Sequence, residues 1–386
     1  MAGLHRDRTT WTAYVVLGWF AYLQAAPGLV VPHLRDELEL DYATGGLYVT
    51  AFAGGSTVAG LLSARLEHAL ERRLLLSSSV GLMAVGAIGL AGTDTVAGTL
   101  GATAIMGLGG GGVLATVQAT LADHHGDLRA VALTEANVAA SCGYLLLVGA
   151  LATTSALGAD WRLPLLISLL VPVATWWQTR GPSVDAVPPR AAQRDRTRLP
   201  AAFWVAVALV ACTTAVEWSV TAWGATLIQE RTRVSAATAV ALMAAYFGGF
   251  LAGRVVGSRI VLRVGPTRLL GWALALSAIG FAVVWLSADP APSTVGLALL
   301  GTGIGNLFPL ALSASVAIAP DHAAQVSGRV VVASAGAVLL APLTIGVLAD
   351  ATTLRAALLA VAALLGLAAA CLARLHRSGQ PQPRPA

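Results

Sequence analysis

Lysine is absent from this chain: all 24 basic residues are arginine. Charge of either sign is scarce, at 11% of 386 residues, where soluble globular proteins carry about 25%. With 56% hydrophobic residues and a mean hydropathy of +0.75, that shortage excludes an ordinary water-facing surface. Most side chains must meet lipid or other buried helices. Cysteine is nearly missing too. Cys142, Cys212 and Cys371 each sit inside an apolar run, so neither a disulfide framework nor a metal-binding spacing is present. Abundant Ala and Gly beside arginine-only basic usage fits the codon bias of a GC-rich bacterial genome.

What the chain does have is long apolar stretches, twelve between residues 11 and 374, with 162–179 the shortest. Most reach the roughly 20 residues a helix needs to cross a bilayer core of about 30 Å. Six precede and six follow a segment at 180–200 that carries Pro182, Pro188, Pro189 and several arginines. That segment reads as a cytoplasmic linker. The expected organisation is a six-helix half at 1–179, the linker at 180–200, a second half at 201–376 and a disordered tail at 377–386. The first stretch follows Arg6 and Arg8, but it is longer than the apolar region of a cleaved signal peptide and reads as a retained helix.

The halves echo each other at a shift of 194 positions. Ala51-Phe52-Ala53-Gly54-Gly55 answers to Ala245-Tyr246-Phe247-Gly248-Gly249, Arg65 to Arg259, and Gly107, Gly109 and Gly111 to Gly301, Gly303 and Gly305. Two such halves in an apolar chain point to a transporter with its site between them.

With the N-terminus in the cytoplasm, nineteen arginines fall on inner segments. Five, Arg35, Arg162, Arg231, Arg233 and Arg355, fall on outer ones. The positive-inside rule then puts both termini in the cytoplasm of a multi-pass cell-membrane protein. The pI near 9.6 is therefore a topology signal and gives no reason to expect nucleic acid.

Gly107-Leu108-Gly109-Gly110-Gly111-Gly112 fits G-x-G-x-x-G, yet it lies in an apolar helix without the strand a dinucleotide site requires. Close helix packing is the better reading. Asp123-His124-His125-Gly126-Asp127 offers metal-type ligands, but no partners stand at zinc spacing. A turn and helix cap is the expected role.

Between the second and third stretches stand Gly60, Leu62, Arg65, Arg72 and Arg73, and between the eighth and ninth Gly257, Arg259, Arg263 and Arg268. With twelve spans, two halves and a central linker, this inner loop resembles that of the major facilitator superfamily. The likeness covers the whole chain and implies an all-α membrane fold of twelve helices in two pseudo-symmetric halves. The loop pattern G-x-L-a-D-R-x-G-R-R is partly matched: Ala64 takes the acid position, and Arg72 and Arg73 align only past an insertion. The arginine expected before the glycines of span four is replaced by Thr103, and span five lacks the Gly-Pro element of family antiporters. Arg129 to Asn137 and the Glu217-Trp218 region loosely resemble a fucose-permease-like bacterial branch.

In the family, spans one, four, seven and ten line the cavity, which implies candidates in each. Span seven holds Glu217, the one acid well inside an apolar run, with Thr213, Thr214 and Thr221 at helical spacing. These hydroxyls are expected to share a proton network with it. A carboxylate at mid-membrane costs roughly 2.5–3.5 kcal/mol on insertion scales, so it usually faces water or a partner. Desolvation disfavours a carboxylate's charged form, which suits proton exchange near neutral pH. A hydrogen bond to a neighbouring helix is the plainer alternative. At the repeat shift Glu217 maps onto Leu23, an asymmetric addition.

Further cavity candidates are Tyr22, Gln24, Gln118, Trp218 and Asn306, with Trp19 as a second stacking ring. Glu135 and Arg329 stand at nearly equivalent inner ends of spans five and eleven and are candidates for an inner gate. So are the loop residues Arg65, Arg72, Arg73 and Arg259. A helix-start carboxylate favoured by the dipole accounts for Glu135 equally well.

The expected function is a secondary active transporter of a small organic solute, coupled to protons. Efflux of a drug or secondary metabolite is the alternative, and an integral-membrane enzyme a remote one. The expected partners are solute, protons and the bilayer. No cofactor or metal is expected, and the chain is read as a monomer.

Overall fold

The computed structural model describes residues 4–178, 200–318 and 323–378, and they are helical nearly throughout. In chain order the helices are α1 (Arg8–Leu38), α2 (Tyr42–Ala69), α3 (Arg72–Gly92), α4 (Val96–His125), α5 (Arg129–Ala156), α6 (Leu163–Ile167), α7 (Leu170–Gln178) and α8 (Ala201–Thr232). They continue with α9 (Ala236–Val264), α10 (Pro266–Leu286), α11 (Pro290–Ile318), α12 (Ala323–Ala351), α13 (Leu354–Ala357) and α14 (Leu359–Ser378). Among the described residues, 10 helical stretches are long and apolar enough to cross a membrane. One of them, Val96–Ala156, holds both α4 and α5, and the shorter apolar helix Leu163–Thr175 completes twelve spans. The expected linker lies, but for Pro200, outside the described residues, as does the tail beyond Ser378.

Local chemistry sets the helix starts. Asp7 and Asp41 accept hydrogen bonds from the backbone N–H groups of Thr10 (2.9 Å) and Thr44 (2.7 Å), capping α1 and α2. Thr95 caps α4 and Thr353 caps α13 in the same way. The sixth span is broken after Ile167. Pro172 has no N–H for the carbonyl of Ser168, and its ring crowds that carbonyl, so the helix restarts at Leu170. Large apolar side chains point outward, among them Leu262 at 88% exposed and Leu61 at 73%. In water this would be untenable, and in a bilayer it is the expected lipid face.

Two compact units are formed, Met1–Ala191 with Thr221–Ala244, and Ala192–Val220 with Ala245–Ala386. Glycine contacts inside each unit repeat at the 194 shift. A Cβ on Gly107 would strike the Phe52 carbonyl of α2, and one on Gly301 the Tyr246 carbonyl of α9. Gly111 meets Ser56 where Gly305 meets Phe250, and Gly86 meets Met106 where Gly280 meets Leu300. The G-x-x-x-G pairs thus bring α2 against α4 and α9 against α11 at backbone distance, which side chains would prevent.

In the first unit, α1 also crosses α8 with Gly28 against the backbone of Thr221 and Ala222. The ring of Trp223, 1% exposed, packs against Gly45 and Val31.

Candidate functional site

Glu217 lies midway along α8 in the second unit. It is half-buried, and its carboxylate accepts no hydrogen bond from a described residue. Arg254 of α9 is near enough to act on it electrostatically. The Arg254 guanidinium sits 4.4 Å from the Phe250 ring centroid, and its Nε donates to the Gly305 carbonyl of α11 at 3.3 Å. The Tyr246 hydroxyl is 3.5 Å from the backbone carbonyl of Glu217, long for a hydrogen bond. Tyr246 also packs edge-on against Phe247, with ring centroids 4.9 Å apart. A carboxylate, a guanidinium within its electrostatic reach and aromatic faces therefore lie where α8, α9 and α11 adjoin.

Sequence reading found Glu217 but counted Arg254 only as an inner-segment arginine. The repeat held the missing signal. At the shift of 194, Arg254 answers to Gly60 as Glu217 answers to Leu23. Both charges are additions made in the second half alone.

Two of the threonines around the acid have hydrogen-bond partners other than Glu217. Thr213 donates to its own helix at the Val210 carbonyl (2.9 Å), and Thr214 reaches Ser334 of α12 at 3.4 Å. Thr221 is buried and belongs to the first unit. Trp218 is half-buried. Asn306 donates to the Gly253 carbonyl at 2.7 Å and so ties α11 to α9.

In the first unit, the Tyr22 hydroxyl donates to the Pro164 carbonyl (3.0 Å), and Gln24 accepts from Tyr144 (2.8 Å). Trp19 is buried and donates to Ser168 at 3.2 Å. Gln118 is exposed.

At the end of this unit where α1 begins, Glu135 is held by Arg6 through two bonds of 2.6 and 2.9 Å and by the Tyr14 hydroxyl at 3.1 Å. Arg329, in the second unit, rests 5.5 Å from the Trp204 ring. Arg72 pairs with Asp123 at 2.8 Å, while Arg73 and Arg259 are exposed. The side chain of Arg65 lies outside the described residues.

The His-Asp segment has a defined task. His124 pairs with Asp7 at 2.8 Å and His125 meets the Thr10 hydroxyl at 2.8 Å, so the end of α4 clasps the start of α1. At Asp7, burial opposes the charged form. Hydrogen bonds from the Thr10 backbone and hydroxyl, with His124, outweigh it and hold the carboxyl below its ordinary range.

The opposite end of the first unit carries a cluster that sequence reading did not single out. Arg162 binds Glu37 through bonds of 2.7 and 3.1 Å and also meets Asp94 (3.3 Å) and Asp160 (3.4 Å). Trp161 donates to the same Glu37 at 2.6 Å. The Glu37 hydrogen bond is the main reason the Arg162 guanidinium is pushed above its ordinary pKa. Nearby, Arg35 lies over the Tyr42 ring at 3.6 Å, and Tyr42 donates to Glu230 at 2.6 Å.

Twelve apolar spans and glycine-packed repeats define a polytopic membrane protein. The Major Facilitator Superfamily model matches residues 10–328 and 207–386. The chain belongs to that family.

The chain is 32% identical over 138 residues to the membrane protein MosC of Rhizobium meliloti, a match covering 34% of this chain and 33% of that one. A bacterial homologue of the human lysosomal transporter Spinster, inward-facing and occupied, superposes with a TM-score of 0.79 at 17% identity, covering 97% of this chain and 98% of the other. The nucleoside transporter NupG gives a TM-score of 0.74 at 14% identity, over 96% and 99% of the two chains. At such identities the likeness is one of fold.

Proposed function

We propose that this chain is a secondary active transporter that moves a small organic solute across the cytoplasmic membrane by alternating access, coupled to protons through Glu217. The six-helix halves 1–179 and 201–376 are its moving bodies, and both termini face the cytoplasm. The observation that carries this reading is Glu217 itself: an acid deep in an apolar span, half-buried, with no hydrogen bond from a described residue and with Arg254 in electrostatic reach. An isolated charge there is costly, and a site that persists despite that cost usually serves an ion or proton pathway.

The chemistry follows from the pair. Ionised, Glu217 holds Arg254 by attraction. Protonated, it no longer offsets the Arg254 charge, and the guanidinium, which rests on the Phe250 face and donates to the Gly305 carbonyl, can turn to an anionic group on the solute. Trp218 and Tyr246 supply faces for a ring or sugar. Tyr22, Gln24, Gln118 and Asn306 are kept as further cavity candidates.

The test has two arms. Infrared difference spectra between wild type and Glu217→Gln, recorded as pH is varied, should contain a titrating carboxylic-acid band that the variant lacks. In proteoliposomes, with a solute found by a thermal-shift screen of sugars, nucleosides and peptides, Glu217→Gln should lose pH-driven accumulation yet keep counterflow exchange. Intact pH-driven accumulation in the variant would sink the coupling role.

A further inference from the structure

We infer that the groove between α10 and α14 is a binding site for an anionic phospholipid, its acyl chain laid along the groove and its phosphate held by Arg268, His376 and the Thr267 hydroxyl. The groove encloses about 830 Å³, within the range of sites that bury a small amphiphile. It runs from Thr267 and Arg268 to Trp285 on α10, a length of about 25 Å at 1.5 Å per residue. That accommodates an extended acyl chain.

The void arises from the sequence. On α10 the lining positions Gly271, Ala275, Ala278 and Ala282 follow a 4-3-4 spacing, which keeps small residues on one helix face. On α14, Ala362, Gly366, Ala369 and Ala373 repeat that spacing. Facing small residues usually let helices close on each other, as Gly303 does against Ala273 and Ser277 between α11 and α10. Here they do not. A Cβ on Gly366 would meet nothing within 4 Å, and one on Gly271 would meet only Leu372, at 3.9 Å.

Charge decides the occupant. Among the described residues, Arg268 and His376 are the only charged or titratable side chains of the lining, both stand at one end, and no acid lines it with them. At the other end the Trp285 indole N–H is already given to the Arg355 carbonyl at 2.9 Å. A ligand that matches has one anionic head and a long apolar body. Basic pockets between helices at the cytoplasmic leaflet bind such lipid heads. The assignment of that leaflet rests on the proposed orientation, whereas lipid binding in detergent does not depend on it, so the two can fail separately.

Native mass spectrometry of the purified full chain tests the site, with phosphatidylglycerol and phosphatidylcholine of identical acyl chains as probes. Wild type should retain phosphatidylglycerol in preference. Arg268→Gln should weaken that retention about fivefold, the effect of one basic residue near a lipid head. Arg263→Gln removes the same charge from α9 outside the lining and should leave retention unchanged. Ala278→Leu with Ala369→Leu fills the groove and should lower retention of both lipids. Inorganic phosphate should not compete. Equal retention of the two lipids by wild type, or equal losses in Arg263→Gln and Arg268→Gln, would overturn the assignment. So would a wild-type dimer that the filled groove abolishes, because a second copy would then be the occupant.

Discussion

Among single residues, the contrast between two arginines shows which ion pairs matter. Arg6 meets Glu135 at 2.6 Å, but with side-chain exposures of 45% and 30% the pair is well solvated. Water screens such pairs, so Arg6→Gln should leave the melting temperature within a degree or two of wild type. Arg162 is 18% exposed and faces Glu37, Asp94 and Asp160 together. Its removal leaves three carboxylates uncompensated, and Arg162→Gln should cost about 1–2 kcal/mol, less than a fully buried pair because the acids are partly wet. Thermal unfolding followed by size-exclusion chromatography will rank the two, and equal losses would refute the ranking. Glu217 was legible in the sequence because an acid is conspicuous in an apolar run. Arg254 was not, because an arginine near a helix end is first a topology mark, and only its Gly60 counterpart in the repeat sets it apart. The Arg162 cluster was invisible for a different reason: Asp160 is its neighbour in sequence, but Glu37 and Asp94 come from distant segments that only folding brings to it.

At the level of elements, glycine positions and helix caps do most of the specifying. Gly107 and Gly101 share α4, yet a Cβ on Gly107 would meet the Phe52 carbonyl, whereas one on Gly101 meets nothing within 4 Å. Gly107→Ala should therefore wedge α2 from α4 and cost about 1–3 kcal/mol. Gly101→Ala should be neutral or slightly stabilising, since Ala is the better helix former. Similar losses in both, measured by thermal unfolding, would count against backbone-distance packing. The clasp at Asp7 adds a pH dependence with a fixed sign. Its carboxyl lies below the ordinary range when folded, so its stabilising effect is complete above the unfolded value of about 3.9 and fades as pH falls through the folded value. Asp7→Asn should lower stability at pH 7 and cease to matter in strong acid, which paired melts across pH would reveal. Helix positions were readable from apolar runs, because a bilayer-spanning helix must be long and continuous. The break at Ser168 was missed: Pro172 is tolerated in the first turn of a helix, so its effect on the preceding turn is not fixed by composition.

For the whole molecule, orientation in the membrane is the property that arginine placement argues and packing alone does not. Nineteen arginines fall on the segments and span ends expected inside, Arg254 counted with them although it lies within α9, and five on the outer ones. Each cation near the cytoplasmic surface gains roughly 1 kcal/mol from anionic lipid, so so large a bias acts on every loop in one direction. The long apolar spans make the alternation of sides obligatory: with twelve of them, a terminus on one side requires the other terminus there too. The clasp of Asp7, His124 and His125 would then be cytoplasmic, and the cluster of Arg162, Glu37 and Asp94 would face outward. Reporter fusions test this without knowledge of the solute. A green fluorescent protein fused after Ala386 should fluoresce, as it does only when folded in the cytoplasm. Alkaline phosphatase fused after Asp160 should be active, as it requires export. Phosphatase activity at the C-terminus with fluorescence at residue 160 would invert the orientation, and with it the leaflet assigned to the lipid groove.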